Sequence, residues 1–172
     1  MFGKRLTTLE PIKEAVATYT QRAAEKLRAQ NSLCKKMRIS IRTGMFNPEE
    51  AKYANGALVE LPYPTNDVRL MTRAATQAVN RLFREGFKYS KAEVLLMDLR
   101  QPGEFTDDLF AASQPATAEK VMGVLDEING RWGKGTLRTG RVPADPEWAM
   151  RRDLMSRSFT TLLDELCVVR AD

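Results

Sequence analysis

The chain has 172 residues, enough for one ordinary domain, or a domain of about 100 residues with a smaller appendage. Its hydrophobic share of 43% and charged share of 28% are those of a soluble globular protein, and no apolar run approaches the roughly 18 residues that span a bilayer. There is no histidine, which removes the commonest general base and zinc ligand and excludes Ser–His and Cys–His catalysis; the net charge of +5 favours a polyanionic partner.

The N-terminal stretch has charge but no apolar core, so no secretory signal is read and a cytoplasmic location is expected. Cys34 and Cys167 are read as reduced thiols. Phe2 to Thr7 is a short extended candidate. Thr7 and Glu10 form a T-x-x-E capping box, and Leu9, Ile12, Val16, Tyr19, Ala23 and Leu27 then recur at helical spacing to about Gln30. The opposite face, with Lys13, Glu14, Arg22, Glu25 and Arg28, reads as solvated.

Lys36 to Thr43 alternates strictly: Met37, Ile39 and Ile41 on one side, Lys36, Arg38, Ser40 and Arg42 on the other. Asn47, Pro48 and Asn55-Gly56 read as breakers before a second strand, Ala57 to Leu61, which Pro62 and Pro64 end. Thr65, Asn66 and Asp67 are N-cap types for a helix with Val68, Met71, Ala75, Val79 and Leu82 in its stripe, stopping at Gly86. Tyr89 to Leu99 is the last strand of the unit. The expected fold is α+β: a β-α-β-β-α-β domain over residues 1–100, with a four-stranded sheet and two helices on one face. Residues 101–116 read as a linker. Residues 117–172 read as a small, mostly helical and irregular extension, with a helix over Thr117 to Asn129 facing inward through Val121, Val124, Leu125 and Ile128. Packing is the expected role of Trp148, beside the basic pair Arg151 and Arg152.

With both helices on one side, the other face of the sheet is open and basic. Lys36, Arg38 and Arg42 come from one strand, Lys91 and Lys88 from the last and Lys4 from the first. Cations two apart on a strand project about 6.6–7 Å apart, near the phosphate spacing along one nucleic-acid strand. The same charges also serve to keep an open face soluble. The Lys36–Thr43 strand lacks the aromatic residues that base stacking needs, and in the last strand only Tyr89, at its start, is available. Adjacent acids such as Asp107-Asp108 point apart and make no two-metal site, and no P-loop, G-x-G-x-x-G or H-E-x-x-H string occurs. No catalytic residue, metal ligand or cofactor site is read. Leu109 and Phe110, on the linker, either pack back or form a short docking motif.

F-G-K-R-L-T-T at 2–8, R-A-A-E-K-L-R at 22–28, F-N-P-E-E at 46–50, L-P-Y-P-T-N-D-V-R at 61–69 and Y-S-K-A-E-V at 89–94 together resemble the little-finger domain of UmuC-type Y-family translesion DNA polymerases. V-L-D-E-I-N at 124–129, G-K-G-T at 133–136, P-E-W-A-M-R-R at 146–152 and S-F-T-T at 158–161 resemble that branch's C-terminal extension. The resemblance implies a non-catalytic fragment that grips primer–template duplex through phosphates, with Lys4, Lys36, Arg38, Arg42 and Lys91 as contacts. Palm, fingers and thumb are then absent, and Met1 stands where the family has Ser. The resemblance places a clamp-binding peptide after the last strand. Leu109 and Phe110 fit it, whereas Thr106 replaces the usual Gln and Asp107 a usual apolar residue. Implied partners are duplex DNA and, beyond it, a sliding clamp, a UmuD-like subunit and a RecA-like filament. The alternative reading is a protein-interaction module whose basic sheet meets acidic partners.

Overall fold

The computed structural model describes residues 1–103 and 114–150. In chain order the elements are α1 (Leu9–Ala29), β1 (Leu33–Thr43), β2 (Ala54–Thr65), α2 (Val68–Leu82), β3 (Tyr89–Arg100) and α3 (Ala116–Trp132). The strands form one antiparallel sheet in the order β2-β1-β3. Met37, Ile39 and Ile41 of β1 are fully buried against α1 and α2, where they meet Ile12, Val16, Met71 and Val79. Burying each such aliphatic side chain stabilises the fold by about 1.5–3 kcal/mol, which fixes the face on which the helices pack.

The sheet has three strands among the described residues, not the expected four. Leu6 makes a single bridge to Tyr89, with reciprocal N–H to carbonyl bonds of 2.9 and 2.8 Å. The chain before it turns away: the Gly3 N–H donates to the Trp148 carbonyl at 3.0 Å, and Lys4 reaches Glu147. A ladder cannot grow from one pair.

Local details depart from expectation in four further places. The capping box does not form; Thr8 is the N-cap of α1 without a side-chain bond, and Glu10 instead pairs with Lys13 and Arg141. β2 runs through Asn55-Gly56 and past both prolines, because it lies at the sheet's rim and four residues, 61–64, bulge opposite Lys35. The Lys35 ammonium donates to the freed carbonyls of Leu61 and Pro62 at 2.7 and 3.0 Å. α2 ends at Leu82, ahead of Gly86. On α3 the buried positions are Ala118, Met122 and Leu125, while Val121 and Val124 face solvent.

Arg28 is the clearest correction. It is not solvated: its side chain is only 8% exposed and forms a two-pronged pair with Asp126 of α3, at 2.6 and 2.7 Å. A third bond, 3.0 Å to the Asn66 carbonyl, ties both helices to the β2–α2 junction. Met122 and Leu125 join the core beside it. Trp148 is buried edge-on against Phe2 and Tyr19, as expected, with centroids 6.4 and 5.7 Å away.

At the junction, Asp67 caps α2 by accepting the Arg69 N–H at 2.9 Å and the Arg69 guanidinium at 2.7 Å. Burial pushes the Asp67 carboxyl up, but the Arg69 hydrogen bonds outweigh it and hold the group below its ordinary 3.8. Its contribution to stability is therefore complete above that value and is lost as pH falls through the folded-state value.

Two predictions follow from these contacts. Arg28→Met should destabilise the chain by about 2–3 kcal/mol, lowering the calorimetric midpoint by roughly 5–10 °C. Adding Asp126→Leu should recover part of that loss, since no unpaired charge then remains. Asp67→Asn should reduce urea stability by about 1 kcal/mol near pH 7, and its curve should merge with wild type as pH falls through the folded-state value of Asp67.

Candidate nucleic-acid interface

The pleat that buries Met37, Ile39 and Ile41 sends Lys36, Arg38, Ser40 and Arg42 to the uncovered face. The two registers then set each residue in a row across the sheet. Lys36 stands between Glu60 and Met97, Arg38 between Leu58 and Leu95, Ser40 between Gly56 and Glu93, and Arg42 between Ala54 and Lys91.

The rows differ sharply in character. Arg42 directly faces Lys91, a like-charge pair that destabilises an isolated sheet. Glu93 offsets part of this, 3.4 Å from the Lys91 ammonium. The middle of the face is shallow, because Gly56 and Ser40 are small. A Cβ on Gly56 would lie 3.2 Å from the Ser40 Cβ and 3.3 Å from the Ile39 carbonyl oxygen, so this floor is fixed by the glycine. Toward the other end the face turns apolar, with Leu58 60% exposed and Leu95, Met97 and Leu99 open beside it.

At the basic end, a cleft of about 270 Å³ lies between the sheet and the loop after β1, lined by Arg5, Arg42, Lys91 and Phe46. Arg5 donates to both Glu50 oxygens at 3.2 Å, and this bond holds the Glu50 carboxyl below its ordinary 4.5. Phe46 is fully exposed at the cleft's rim. Neither Arg5 nor Phe46 was expected from the sequence. Phe46 carried a signal, an aromatic residue just before the Asn47-Pro48 turn where the core cannot reach it. The choice of Arg5 over Lys4 carried none.

Of the expected contact residues, Arg38, Arg42, Lys36 and Lys91 share the open face. Lys4 does not join them through any observed contact; its ammonium is engaged by Glu147 at 2.9 Å. Leu109 and Phe110, with Thr106 and the Arg151-Arg152 pair, lie outside the described residues. Tyr89 adds nothing to the face, being buried with its hydroxyl bonded to the Arg84 backbone, and the other strand aromatic, Tyr63, is half-buried in the β2 bulge. Among the described residues no cluster of Cys, Asp and Glu could hold a metal ion, and no helix is long and apolar enough to cross a membrane.

Comparison with known proteins identifies related sequences along most of the chain. Residues 1–109 match the impB/mucB/samB family C-terminal domain, and residues 119–169 match a domain of unknown function, DUF4113. The chain is 38% identical to Protein ImpB of Salmonella typhimurium and 37% identical to Protein UmuC of the LT2 strain of that organism, each over 170 residues. Those alignments cover 98% of this chain and 40% of each relative. Protein MucB of Escherichia coli is 40% identical over 161 residues, 93% of this chain and 38% of its own length. The chain thus spans about two fifths of the relatives it matches. On these grounds the chain belongs to the impB/mucB/samB family and is of the UmuC type.

Proposed function

We propose that this chain is the non-catalytic, DNA-gripping part of an error-prone translesion polymerase, a little-finger domain with its C-terminal extension, acting in SOS lesion bypass. The observation that carries the reading is the basic end of the open sheet. Arg42 and Lys91 are directly opposed, Arg38 lies four residues along β1, and Arg5, paired with Glu50, stands across the cleft. A like-charge pair held rigidly on a sheet is relieved by an anion that bridges it, and a phosphodiester backbone supplies such anions at regular spacing. The central strand β1 carries no aromatic side chain and Tyr89 is buried, so the contact is to backbone and carries no sequence information. Lys36 extends the track along β1. Phe46 is placed to pack against a sugar or base edge beside it. No cofactor takes part in this role, and duplex DNA is the principal partner.

The apolar end of the same face supports a second function for it. Leu58 and Leu95 flank Arg38, Met97 flanks Lys36 and Leu99 lies beyond, so exposed apolar surface borders the cations here and suits a protein partner. A sliding clamp or a UmuD-like subunit fits this role in the whole polymerase, with Leu109 and Phe110 as a further clamp contact. A RecA-like filament is a third candidate partner.

Duplex binding is measured by fluorescence anisotropy on the full chain. Wild type should bind at low salt, with log K falling against log salt at a slope of about −2 to −3, as for about three neutralised phosphates. Arg42→Glu/Lys91→Glu should weaken binding about tenfold or more. Absence of low-salt binding, or an unchanged affinity in the double variant, defeats the DNA reading. Leu58→Ser/Leu95→Ser should leave duplex affinity within about twofold but abolish capture by purified clamp or UmuD-like subunit, as expected when a central apolar anchor is lost. Capture that persists in this variant removes the role of the apolar end.

A further inference from the structure

The helical side of the molecule holds a second concentration of positive charge, facing away from the sheet. A groove of about 490 Å³ runs between α1 and the segment 134–146 that follows α3. Arg22 and Lys26 form one wall, one helical turn apart on α1. Lys134 and Arg138 form the other. All four are exposed, and none makes a hydrogen bond or ion pair among the described residues. Glu25 is the one carboxylate in the lining. Like charges four apart on a helix repel, and a second cationic wall opposite adds to that repulsion.

The segment opposite α1 is held firmly. Leu137 and Asn129 exchange two hydrogen bonds of 2.9 Å. Two residues on, the backbone N–H and hydroxyl of Thr139 both donate to the Gln21 side-chain oxygen, at 3.1 and 3.2 Å. Arg141 then reaches Glu10 at 3.0 Å. Arg138 lies between two anchored residues, so its backbone is fixed while its guanidinium has no partner among the described residues. Beyond it, Val142 and Pro143 add apolar lining to the groove.

We propose that this groove docks an acidic peptide segment of a partner protein, in which carboxylates alternate with apolar residues. The carboxylates would pair with Arg22 and Arg138, whose forked donors match them two-pronged, while Lys26 and Lys134 act as point charges. An apolar residue of the peptide lies on Val142 and Pro143. Nucleic acid fits less well. The lining contains no aromatic side chain for a single strand to stack on, and a duplex is far too bulky to enter.

The test uses the full chain and a fluorescein-labelled nonapeptide of repeating Asp-Glu-Leu, with oligothymidylate as the competing probe. Wild type should bind the peptide with salt-dependent affinity, and Arg22→Glu/Arg138→Glu should weaken it about tenfold or more. Arg73→Glu/Arg81→Glu, the same charge change on α2, should leave it within about twofold. If the first variant fails to fold by circular dichroism, Arg22→Gln/Arg138→Gln serves in its place with the same expectation. No peptide binding by wild type, or equal weakening by both charge reversals, overturns the proposal. So does oligothymidylate that displaces the peptide and loses affinity in the same groove variant, which would make the occupant a nucleic acid.

Discussion

Strand β1 runs between its two neighbours, so each of its side chains has only two places to go. Met37, Ile39 and Ile41 are drawn beneath the sheet by the apolar stripes of α1 and α2. With a side-chain period of two, the intervening residues are carried to the other face whatever their chemistry. The basic surface is thus the obligatory reverse of the core. A one-residue slip would bury Arg38 and expose Ile39, which desolvation of the guanidinium forbids. The same pairing that stabilises the domain therefore aims Arg38 and Arg42 outward and holds Arg42 against Lys91.

A second junction settles how the region after the sheet is attached. Arg28 gathers α1, the Asn66 carbonyl and Asp126 of α3 at a single guanidinium. Its burial is tolerable because the donors that leave water find carboxylate or carbonyl acceptors. Around it Met122 and Leu125 enter the main core, and further along Trp148 closes over Phe2 and Tyr19. The helix α3 and the residues up to 150 are thereby packed on the α+β body through shared apolar side chains, with the ion pair fixing the register of α3.

Much of this was legible in the sequence because it is local. The alternation in β1, the stripes of α1 and α2 and the capping role of Asp67 each depend on residues within one or two turns of each other. What escaped depends on distant partners. Nothing near Arg28 announces an aspartate 98 residues later, and its place opposite the apolar stripe of α1 made it look like surface. Lys4 and Arg5 are equivalent neighbours until Glu147 pairs with one away from the cleft and Glu50 pairs with the other beside it. The prolines of β2 were misread as terminators, because a bulge at the sheet's rim accepts them where a central strand would not. In the interface, charge and face were legible, but the division into a basic and an apolar end required the register of two other strands.

The bulge in β2 has a further effect, on how the molecule behaves among copies of itself. A three-stranded sheet leaves two rims, and a regular rim invites another strand to add. Along β2, Pro62 and Pro64 offer no N–H, and the carbonyls of Leu61 and Pro62 are already taken by Lys35. Along β3, Leu6 occupies the Tyr89 end, and Asp98 near the other end has a φ of 51° that breaks the extended repeat. Among the described residues each rim is therefore interrupted, β2 at its proline end and β3 at both ends. A sheet that keeps one whole face uncovered thus offers an added strand shortened rims on which to pair.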